Sequence, residues 1–197
     1  MRCMNSQQPI VAVLLAAGAG TRFGGGKLLH PLSDGVAIAA HAARNLRAAM
    51  LDVIAVVRPG DFPLADTLEQ EGCHVTMCAE SVRGMGHSLA HGIGLARDAS
   101  GWVVALADMP RIRPDTIQAV AAAISSGAVL AAPIYREEIG HPRAFSSTLR
   151  NELTALSGDS GARGVFERHR SEIQLIDCDD PGVVLDVDAR ADLTRFT

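Results

Sequence analysis

The sequence predicts an α/β fold of Rossmann-like type, a three-layer sandwich with a mostly parallel central sheet. Strand and helix patterns alternate from one end of the 197-residue chain to the other, which is typical of parallel sheets with helices on both faces. Hydrophobic residues make up 48% of the chain and aromatic residues only 4%, so the core is built from Ala, Val, Leu and Ile. The segments Val11–Leu15 and Trp102–Ala107 are apolar throughout, as strands covered on both faces are.

Local signals place each element of this alternation in turn. The first strand runs into a glycine-rich loop, the Pro59-Gly60 turn separates the second strand from the second helix, and Pro114 stands in the first turn of a later helix, where proline is favoured. The predicted strands are Val11–Leu15, Asp52–Val57, Cys73–Cys78, Trp102–Ala107, Ala128–Pro133, Ile173–Ile176 and Val183–Val187. The predicted helices are Val36–Met50, Phe62–Gln70, Ser88–Arg97, Pro114–Ser125, Thr148–Leu156 and Ala162–His169, with one more at the C-terminal end. Residues Ile134–Phe145, which are rich in charge, form an excursion from the alternating pattern.

Length, charge and cysteine spacing restrict the class of protein. A chain of 197 residues suffices for one domain and no linker or repeat divides it, so residues 1–197 are expected to form a single domain. A net charge of −4 gives no overall attraction to nucleic acid or to an anionic membrane, and no segment has the length of a membrane span. We therefore expect a cytoplasmic protein that binds neither. The four cysteines form no C-x-x-C pair, and His87 and His91 lack a third ligand, which argues against disulfides and a zinc site.

A glycine-rich loop follows the first strand and contains the only lysine of the chain, Lys27. Five glycines between positions 18 and 26 allow backbone N–H groups to converge on a ligand, and Arg22 and Lys27 supply positive charge. This combination suits a polyphosphate. The alternative is that a GC-rich coding bias depletes lysine and that Lys27 remains by chance.

Two common phosphate loops do not fit this segment. A Walker loop requires Ser or Thr after the lysine, whereas Leu28 follows Lys27. In the dinucleotide fingerprint Phe23 would occupy the third glycine position, and the second strand ends in Val57-Arg58-Pro59 without the expected acidic residue. The loop therefore belongs to neither type.

A carboxylate follows the most apolar strand. Asp108 comes directly after Trp102–Ala107 and therefore lies at the same sheet edge as the glycine loop. A carboxylate that faces a triphosphate needs a hard cation between them, and Mg²⁺ binds one or two carboxylates together with phosphate oxygens. The alternative is that Asp108 begins a turn before Pro110 or caps a short helix.

A second acidic pair stands near the C-terminal end of the chain. Asp186 and Asp188 alternate at the end of the predicted strand Val183–Val187, so both carboxylates share one face and Asp188 can supply a second metal ligand. The preceding acidic residues at 177–180 are expected to form a solvated turn. Asp108 and Asp188 are thus the candidate ligands for Mg²⁺.

Several motifs carry a resemblance to a known family. The segment Leu15–Lys27 resembles the signature L-A-A-G-x-G-[ST]-R-[FM]-G-x-x-K of the nucleotidyltransferase superfamily with a glycosyltransferase-A-like fold. Five further motifs fall in the order seen in molybdenum cofactor cytidylyltransferases: G-M-G-H-S-L-A-H-G-I at 84–93, L-A-D-M-P at 106–110, G-H-P-R-A-F at 140–145, L-S-G-D-S-G-A-R at 156–163 and D-V-D-A-R-A-D-L at 186–193. The chain departs from this family where Ala189-Arg190 replaces Thr-Pro, and where Val36-Ala37-Ile38 lacks a proline.

The resemblance implies a fold, a reaction and a set of site residues. It implies one domain of the nucleotide-diphospho-sugar transferase type that transfers CMP from CTP to molybdopterin, with Mg²⁺ and release of pyrophosphate. The Ala16-Ala17 pair favours cytosine, where relatives that use GTP carry Gly-Gly. The expected catalytic residues are Arg22, Lys27 and Asp108, and the expected metal ligands are Asp108 and Asp188. The expected nucleotide-binding residues are Leu15, Ala16, Ala17, Gly18, Ala19, Gly20, Thr21, Arg22, Lys27 and Ser88.

The acceptor side is predicted from two loops at element ends. The candidate acceptor-binding residues are Gly140, His141, Pro142, Asp159, Gly161 and Arg163. A helix that starts near Ser160, with Arg163, can seat a phosphate; the alternative is an N-cap beside a surface arginine. Two further functions stay open: a nucleotidyltransferase for another acceptor such as a sugar or polyol phosphate, and a non-catalytic nucleotide-binding factor that serves a client molybdoenzyme.

Overall fold

An eight-stranded sheet forms the centre of the molecule in the computed structural model, which describes residues 9–196. The strands are β1 (Ile10–Leu15), β2 (Val53–Val57), β3 (His74–Met77), β4 (Gly101–Leu106), β5 (Leu130–Tyr135), β6 (Glu138–Ile139), β7 (Arg143–Ser146) and β8 (Ile173–Asp177). Their order is β3-β2-β1-β4-β7-β5, and β6 and β8 both pair with β5. The pairs β1–β2, β1–β4, β2–β3 and β5–β8 are parallel, whereas β7 runs antiparallel to both of its neighbours. The predicted mostly parallel α/β sheet is confirmed.

The helices cover both faces of this sheet. They are α1 (Ile38–Ala49), α2 (Phe62–Gln70), α3 (Met85–Leu95), α4 (Pro114–Ser125), α5 (Arg150–Thr154) and α6 (Arg163–Arg168). Short 3₁₀ segments occupy Thr21–Phe23, Lys27–Leu29, Ala79–Arg83, Ser147–Leu149, Arg170–Glu172, Pro181–Val184 and Arg190–Phe196. The predicted helices are confirmed: α2 and α4 have the predicted bounds, α3 begins three residues earlier and ends two residues earlier than predicted, and α1, α5 and α6 are shorter. The last predicted helix is a 3₁₀ helix.

Alternation along the strands divides the core into two layers. In β1, Ala12 and Leu14 pack with α1, α2 and α4, whereas Val11, Val13 and Leu15 pack with α3, α5 and α6. The central strands β1, β2 and β4 are buried almost completely on both faces, which is why they read as continuous apolar runs, whereas β3 and β8 are partly exposed. The parallel strands β1, β2, β3 and β4 end at one edge of the sheet, beyond which their connecting loops meet.

The excursion predicted at Ile134–Phe145 in fact completes the sheet. The chain leaves β5, turns at Arg136 and Glu137, and returns as β6 and then β7, which inserts between β4 and β5. The sequence does not reveal this return, because the turn is charged and because β6 and β7 are short and only partly apolar.

The predicted strand Val183–Val187 is wrong. Pro181–Val184 forms a 3₁₀ turn, and the following residues are extended without joining the sheet. Val183 and Val187 are both fully buried against the α1 and α4 side of the core. Their backbone bonds go elsewhere: the His141 N–H donates to the Val183 carbonyl and the Val187 N–H to the Asp108 carbonyl, both at 2.9 Å. The apolar residues of this segment are thus explained by burial of one side against the core and not by hydrogen bonding to a neighbouring strand.

Asp180 is buried, which corrects the prediction of a solvated turn at this position. Its side chain is 2% exposed and accepts hydrogen bonds from the Arg113 N–H (2.8 Å), the Thr116 hydroxyl (2.8 Å) and the Gly182 N–H (3.0 Å). It therefore joins the start of α4 to the turn at Pro181. This contact fixes the segment that carries Asp186 and Asp188.

Replacing Asp180 with alanine should lower the free energy of unfolding by about 2–4 kcal/mol, because two backbone amides and a hydroxyl lose a buried anionic acceptor. Urea denaturation measures this. The matched control is Asp179→Ala, since Asp179 is exposed and its removal should change stability by less than about 0.5 kcal/mol. Equal stability of the two variants would contradict the structural role of Asp180.

The sequence predicts neither a membrane-spanning helix nor disulfide bonds, and the described residues bear on both points. Between residues 9 and 196, no helix is both long enough and apolar enough to cross a membrane. Cys73, Cys78 and Cys178 are free thiols, and burial raises the pKa of Cys73 to about 11. Cys3 lies outside the described residues.

Candidate active site

The glycine-rich loop joins the end of β1 to α1 through a series of left-handed turns. Gly20 has φ of 59°, and a Cβ atom there would lie 3.2 Å from Cβ of Lys27, so a side chain at this position would press on the lysine. Phe23 is buried beneath the loop, and the Arg190 guanidinium stacks over its ring at 4.9 Å. Arg190 replaces the family's proline, and here it connects the C-terminal segment to the loop.

Lys27 brings together the two carboxylates that the sequence places far apart. Its Nζ donates to Oδ2 of Asp108 at 2.6 Å and lies 3.9 Å from Oδ1 of Asp188. The lysine side chain is only 10% exposed. Arg22 reaches the other oxygen of Asp188 at 2.5 Å, with its own side chain 76% exposed. The predicted position of the loop and Asp108 at one sheet edge is confirmed, and Asp188 reaches Lys27 from a segment that lies outside the sheet.

Asp192 holds Asp188 in position; it belongs to the motif at 186–193 but was not predicted as a site residue. Its carboxylate accepts hydrogen bonds from the backbone N–H groups of Asp188 (2.9 Å) and Ala189 (2.7 Å). These backbone donors lower the pKa of Asp192, and the neighbouring Arg195 adds to the effect. Asp192 therefore remains an acceptor at neutral pH.

Asp186 adds a third carboxylate to the site. Its pKa is raised by burial and then by the negative charges of Asp188 and Asp108. Three carboxylates thus face one lysine and one exposed arginine, an excess of negative charge built from hard oxygen ligands. Carboxylate oxygens are ligands that a hard divalent cation prefers, and Asp108 and Asp188 bring two of these groups together. Among residues 9–196 no three His, Cys, Asp or Glu side chains are arranged as a metal site, and His87 and His91 belong to no such group, so a cation beside Asp108 would also need oxygens from a nucleotide or from water.

A cavity of about 470 Å³ opens beside Lys27 and Asp108. It lies between the glycine loop, the ends of β1 and β4, and the start of α3, and its volume is in the usual range for a ligand pocket. Of the predicted nucleotide-binding residues, those that line it are Leu15, Ala17, Gly18, Ala19, Lys27 and Ser88. The side chain of Ala16 is buried in the opposite layer, and Thr21 and Arg22 lie outside this lining.

A second cavity of about 740 Å³ lies on the outer side of the same loop, where Gly20 contributes to its lining. Gly18, Ala19 and Lys27 border both cavities. Arg58, which follows β2 and was not among the predicted site residues, also borders both cavities. The signal was present, since Arg58 follows a strand at the edge where ligands bind.

The start of α3 is packed tightly against the predicted acceptor loop. Gly84 has φ of 126°, and a Cβ atom there would lie 2.3 Å from the backbone of Gly158. The Gly86 N–H donates to the Gly158 carbonyl at 2.8 Å, and Gly161 packs on Met85. Asp159, next in the loop, lines the first cavity. The two loops therefore form one continuous wall.

The other predicted acceptor residues have packed or peripheral positions. Gly140 and Pro142 are buried, and a Cβ atom at Gly140 would lie 2.3 Å from the Val183 carbonyl oxygen. Burial lowers the pKa of His141 to about 3, with a further contribution from the Arg143 charge, so its ring is neutral at pH 7. Arg143 stacks on Phe166 at 4.2 Å, and burial lowers its pKa. Arg163 begins α6, near Arg143, and does not line the first cavity.

These features define the class of the protein. Nucleotides bind to parallel α/β sheets beyond the carboxyl ends of the strands, and that edge here holds the glycine loop, the lysine and the carboxylates. The class that these features define is that of the α/β enzymes that transfer nucleotides. The chain belongs to the family with a MobA-like NTP transferase domain, whose sequence profile matches residues 12–173. The protein is a nucleotidyltransferase.

Comparisons with individual proteins agree with this assignment. The chain is 29% identical over 191 residues to the purine catabolism protein PucB of Bacillus subtilis, with 91% of each chain covered. It is 27% identical over 195 residues to nicotine blue oxidoreductase of Paenarthrobacter nicotinovorans, with 95% of this chain and 96% of the other covered. The crystal structure of Rv0371c from Mycobacterium tuberculosis superposes with a TM-score of 0.82 at 28% identity, covering 97% of this chain and 98% of that one. Rv0371c has also been solved as a complex with manganese.

Proposed function

We propose that this protein transfers CMP from CTP to the phosphate of molybdopterin, with Mg²⁺ and with release of pyrophosphate. The observation that carries the proposal is the position of Lys27, whose ammonium lies between Asp108 and Asp188 at the mouth of a cavity lined by the glycine loop. The acceptor and the nucleotide come from the order of the sequence motifs and from the Ala16-Ala17 pair.

The reaction consists of attack by an acceptor phosphate oxygen on the α-phosphorus of CTP. The bond from the α-phosphorus to the bridging oxygen breaks, and pyrophosphate leaves in line with the attack. Because two anions must meet, catalysis depends on positioning and on neutralisation of charge. In this proposal Lys27 and the loop N–H groups stabilise the leaving pyrophosphate, and Arg22, which lines neither cavity in the structure, would turn from Asp188 to join them.

Lys27 has two partners in this scheme. Without nucleotide it neutralises Asp108 and Asp188; with a triphosphate in the cavity it turns to the phosphate oxygens and leaves the two carboxylates free to hold a divalent cation. When bound there, the cation neutralises phosphate charge and acts as a Lewis acid on the phosphate oxygens. The manganese complex of Rv0371c supports a divalent metal in this family, and Mg²⁺ is the choice that the motif resemblance favours.

No general base is assigned. A phosphate monoester has its second pKa at about 6 and is already a dianion near neutral pH. The acceptor is expected to lie against the wall formed by the start of α3 and the loop at 157–161, where Asp159 lines the cavity.

The test is a pyrophosphate-release assay with the purified protein and Mg²⁺. CTP, UTP, GTP and ATP are each combined with molybdopterin and with a panel of sugar and polyol phosphates. We expect release with CTP and molybdopterin together, and formation of a cytidine dinucleotide detected by mass spectrometry.

The other outcomes separate the alternative functions. Turnover only with a sugar or polyol phosphate would overturn the acceptor, and turnover with another nucleotide would overturn CTP. Tight CTP binding without turnover of any acceptor would favour a nucleotide-binding factor that delivers cofactor to a client molybdoenzyme.

A further inference from the structure

We propose that Arg58, oriented by Asp61, recognises the nucleobase and selects cytosine over uracil. This inference rests on the proposed function, because it concerns the base of the same nucleotide. It adds a specificity residue that neither the motifs nor the comparisons assign.

The first argument is the position of Arg58. The register pairs Leu15 of β1 with Val56 of β2, so Arg58 lies beside Ala17 where the two strands end. Arg58 borders both cavities, together with Gly18 and Ala19. Since β1 separates β2 from β4, Arg58 stands roughly 10 Å, or two strand spacings, from the strand that carries Asp108. It is therefore on the side of the cavity away from the carboxylates that mark the reacting phosphate.

The second argument is the state of the guanidinium. Nη2 of Arg58 donates to Oδ2 of Asp61 at 3.1 Å, and the Asp61 N–H donates back to the Arg58 carbonyl at 3.3 Å. Nε is shielded from solvent and has no hydrogen-bond partner. A buried donor without a partner costs free energy, which a ligand acceptor would recover. The tight turn at Pro59-Gly60 keeps the pair in one geometry.

The third argument concerns charge. Asp61 lines the second cavity and not the first, so a polyphosphate that approached Arg58 from the second cavity would meet a carboxylate 3.1 Å from the guanidinium. This neighbour cancels much of the attraction that Arg58 would offer to an anion. A neutral nucleobase is not repelled, and it benefits from a guanidinium held in a fixed orientation.

The last argument is the hydrogen-bond pattern of the bases. Cytosine presents two acceptors, O2 and N3, followed by a donor, the N4 amino group. Two free guanidinium N–H groups and the Asp61 carboxylate form the complementary set of two donors and one acceptor. Uracil replaces the acceptor at N3 with an N–H and the donor at position 4 with a carbonyl. The N3 N–H of uracil would then face a guanidinium N–H, and its O4 would face the Asp61 carboxylate. Donor would meet donor and acceptor would meet acceptor, which excludes the wrong base effectively.

Equilibrium binding measured by titration calorimetry tests this proposal without relying on turnover. CTP, UTP and CMP are titrated into the wild type, Arg58→Ala and Arg58→Lys. In Arg58→Ala we expect CTP and CMP to bind about ten- to a hundredfold more weakly, and UTP to change by less than about threefold. Arg58→Lys should recover affinity for CTP only in part, because lysine lacks the planar pair of donors.

The matched control is Arg83→Ala. Arg83 pairs with Glu80 at the same i,i+3 spacing as Arg58 with Asp61, is exposed and lines neither cavity. It should leave all three affinities unchanged. Thermal melting of each variant shows whether it is folded, and Arg58→Lys carries the test if Arg58→Ala does not fold.

Three results would overturn the inference. Equal weakening of CTP and UTP with CMP unaffected would make Arg58 a phosphate contact. Unchanged affinities would remove it from the site. In both cases a wild type that prefers CTP leaves the proposed function intact. A wild type that binds UTP or GTP as tightly as CTP would instead overturn both the inference and the CTP assignment.

Discussion

We expect the replacement of Lys27 with alanine to lower the catalytic efficiency kcat/KM by about ten- to more than a hundredfold. A hydrogen bond to a charged group contributes roughly 1.5–3 kcal/mol, and each 1.36 kcal/mol of transition-state stabilisation corresponds to about one decade in rate. The lysine is 10% exposed and 2.6 Å from Asp108, so water replaces it poorly. Because the contact should strengthen as pyrophosphate leaves, part of the loss should appear in kcat as well as in KM.

Two further measurements make the Lys27 prediction specific. Lys27→Arg should recover activity only in part, because the larger planar guanidinium must fit beside the loop backbone at Gly20. Arg44→Ala is the control, since it removes a surface cation that pairs with Glu71 on the outer side of the helices. Unchanged kcat/KM in Lys27→Ala would remove the residue from the site, and a lowered melting temperature with normal kinetics would assign it a structural role.

Replacing Asp108 with alanine should reduce turnover by at least about a hundredfold, which is the largest effect that we expect from one substitution. In the proposed function this carboxylate holds the divalent cation beside the reacting phosphate, and losses at metal-binding and charge-stabilising positions reach this size or more. Stability should change little, because Asp108 follows β4 at the sheet edge and its side chain is 23% exposed. Asp108→Asn should be nearly as inactive, since it keeps the shape but not the charge.

The readout for Asp108 is the activity as a function of Mg²⁺ concentration. Loss of a ligand should raise the concentration that gives half-maximal activity, whereas a merely structural change would lower activity at every concentration alike. Asp66→Asn, an exposed carboxylate on α2, is the control and should behave as wild type. Full Mg²⁺-dependent activity in Asp108→Ala would disprove the metal role.

The fold could be predicted from the sequence because its signals are local. Apolar runs such as Val11–Leu15 and Trp102–Ala107 identify strands buried on both faces, and proline and glycine mark where helices begin and strands end. Once a parallel sheet is predicted, the carboxyl ends of its strands lie at one edge. The convergence of Lys27 with Asp108 follows from this rule, although 81 residues separate them.

The prediction from the sequence was wrong where one residue pattern is compatible with two different structures. The apolar run that begins at Val183 and ends at Val187 resembles a strand, but Val183 and Val187 pack into the core from a segment whose hydrogen bonds go to His141 and Asp108. Likewise β7 is too short and its approach too charged to be recognised, because its stability comes from its pairing with β4 and β5. Neither outcome is encoded in nearby residues.

What the sequence by itself determined is therefore the layered fold and the two principal charged positions, Lys27 and Asp108, since periodicity and strand ends specify them. Only the tertiary structure decided that Asp180 is a buried acceptor, that Asp192 holds Asp188, and that Arg58 borders the cavities. The physical reason is that burial and hydrogen-bond partners depend on residues distant in the chain, as Arg22 and Asp188 are at 166 positions apart. An aspartate within an acidic run has the same sequence context whether its carboxylate is hydrated or accepts hydrogen bonds from the start of a helix, so the sequence alone does not distinguish the two cases.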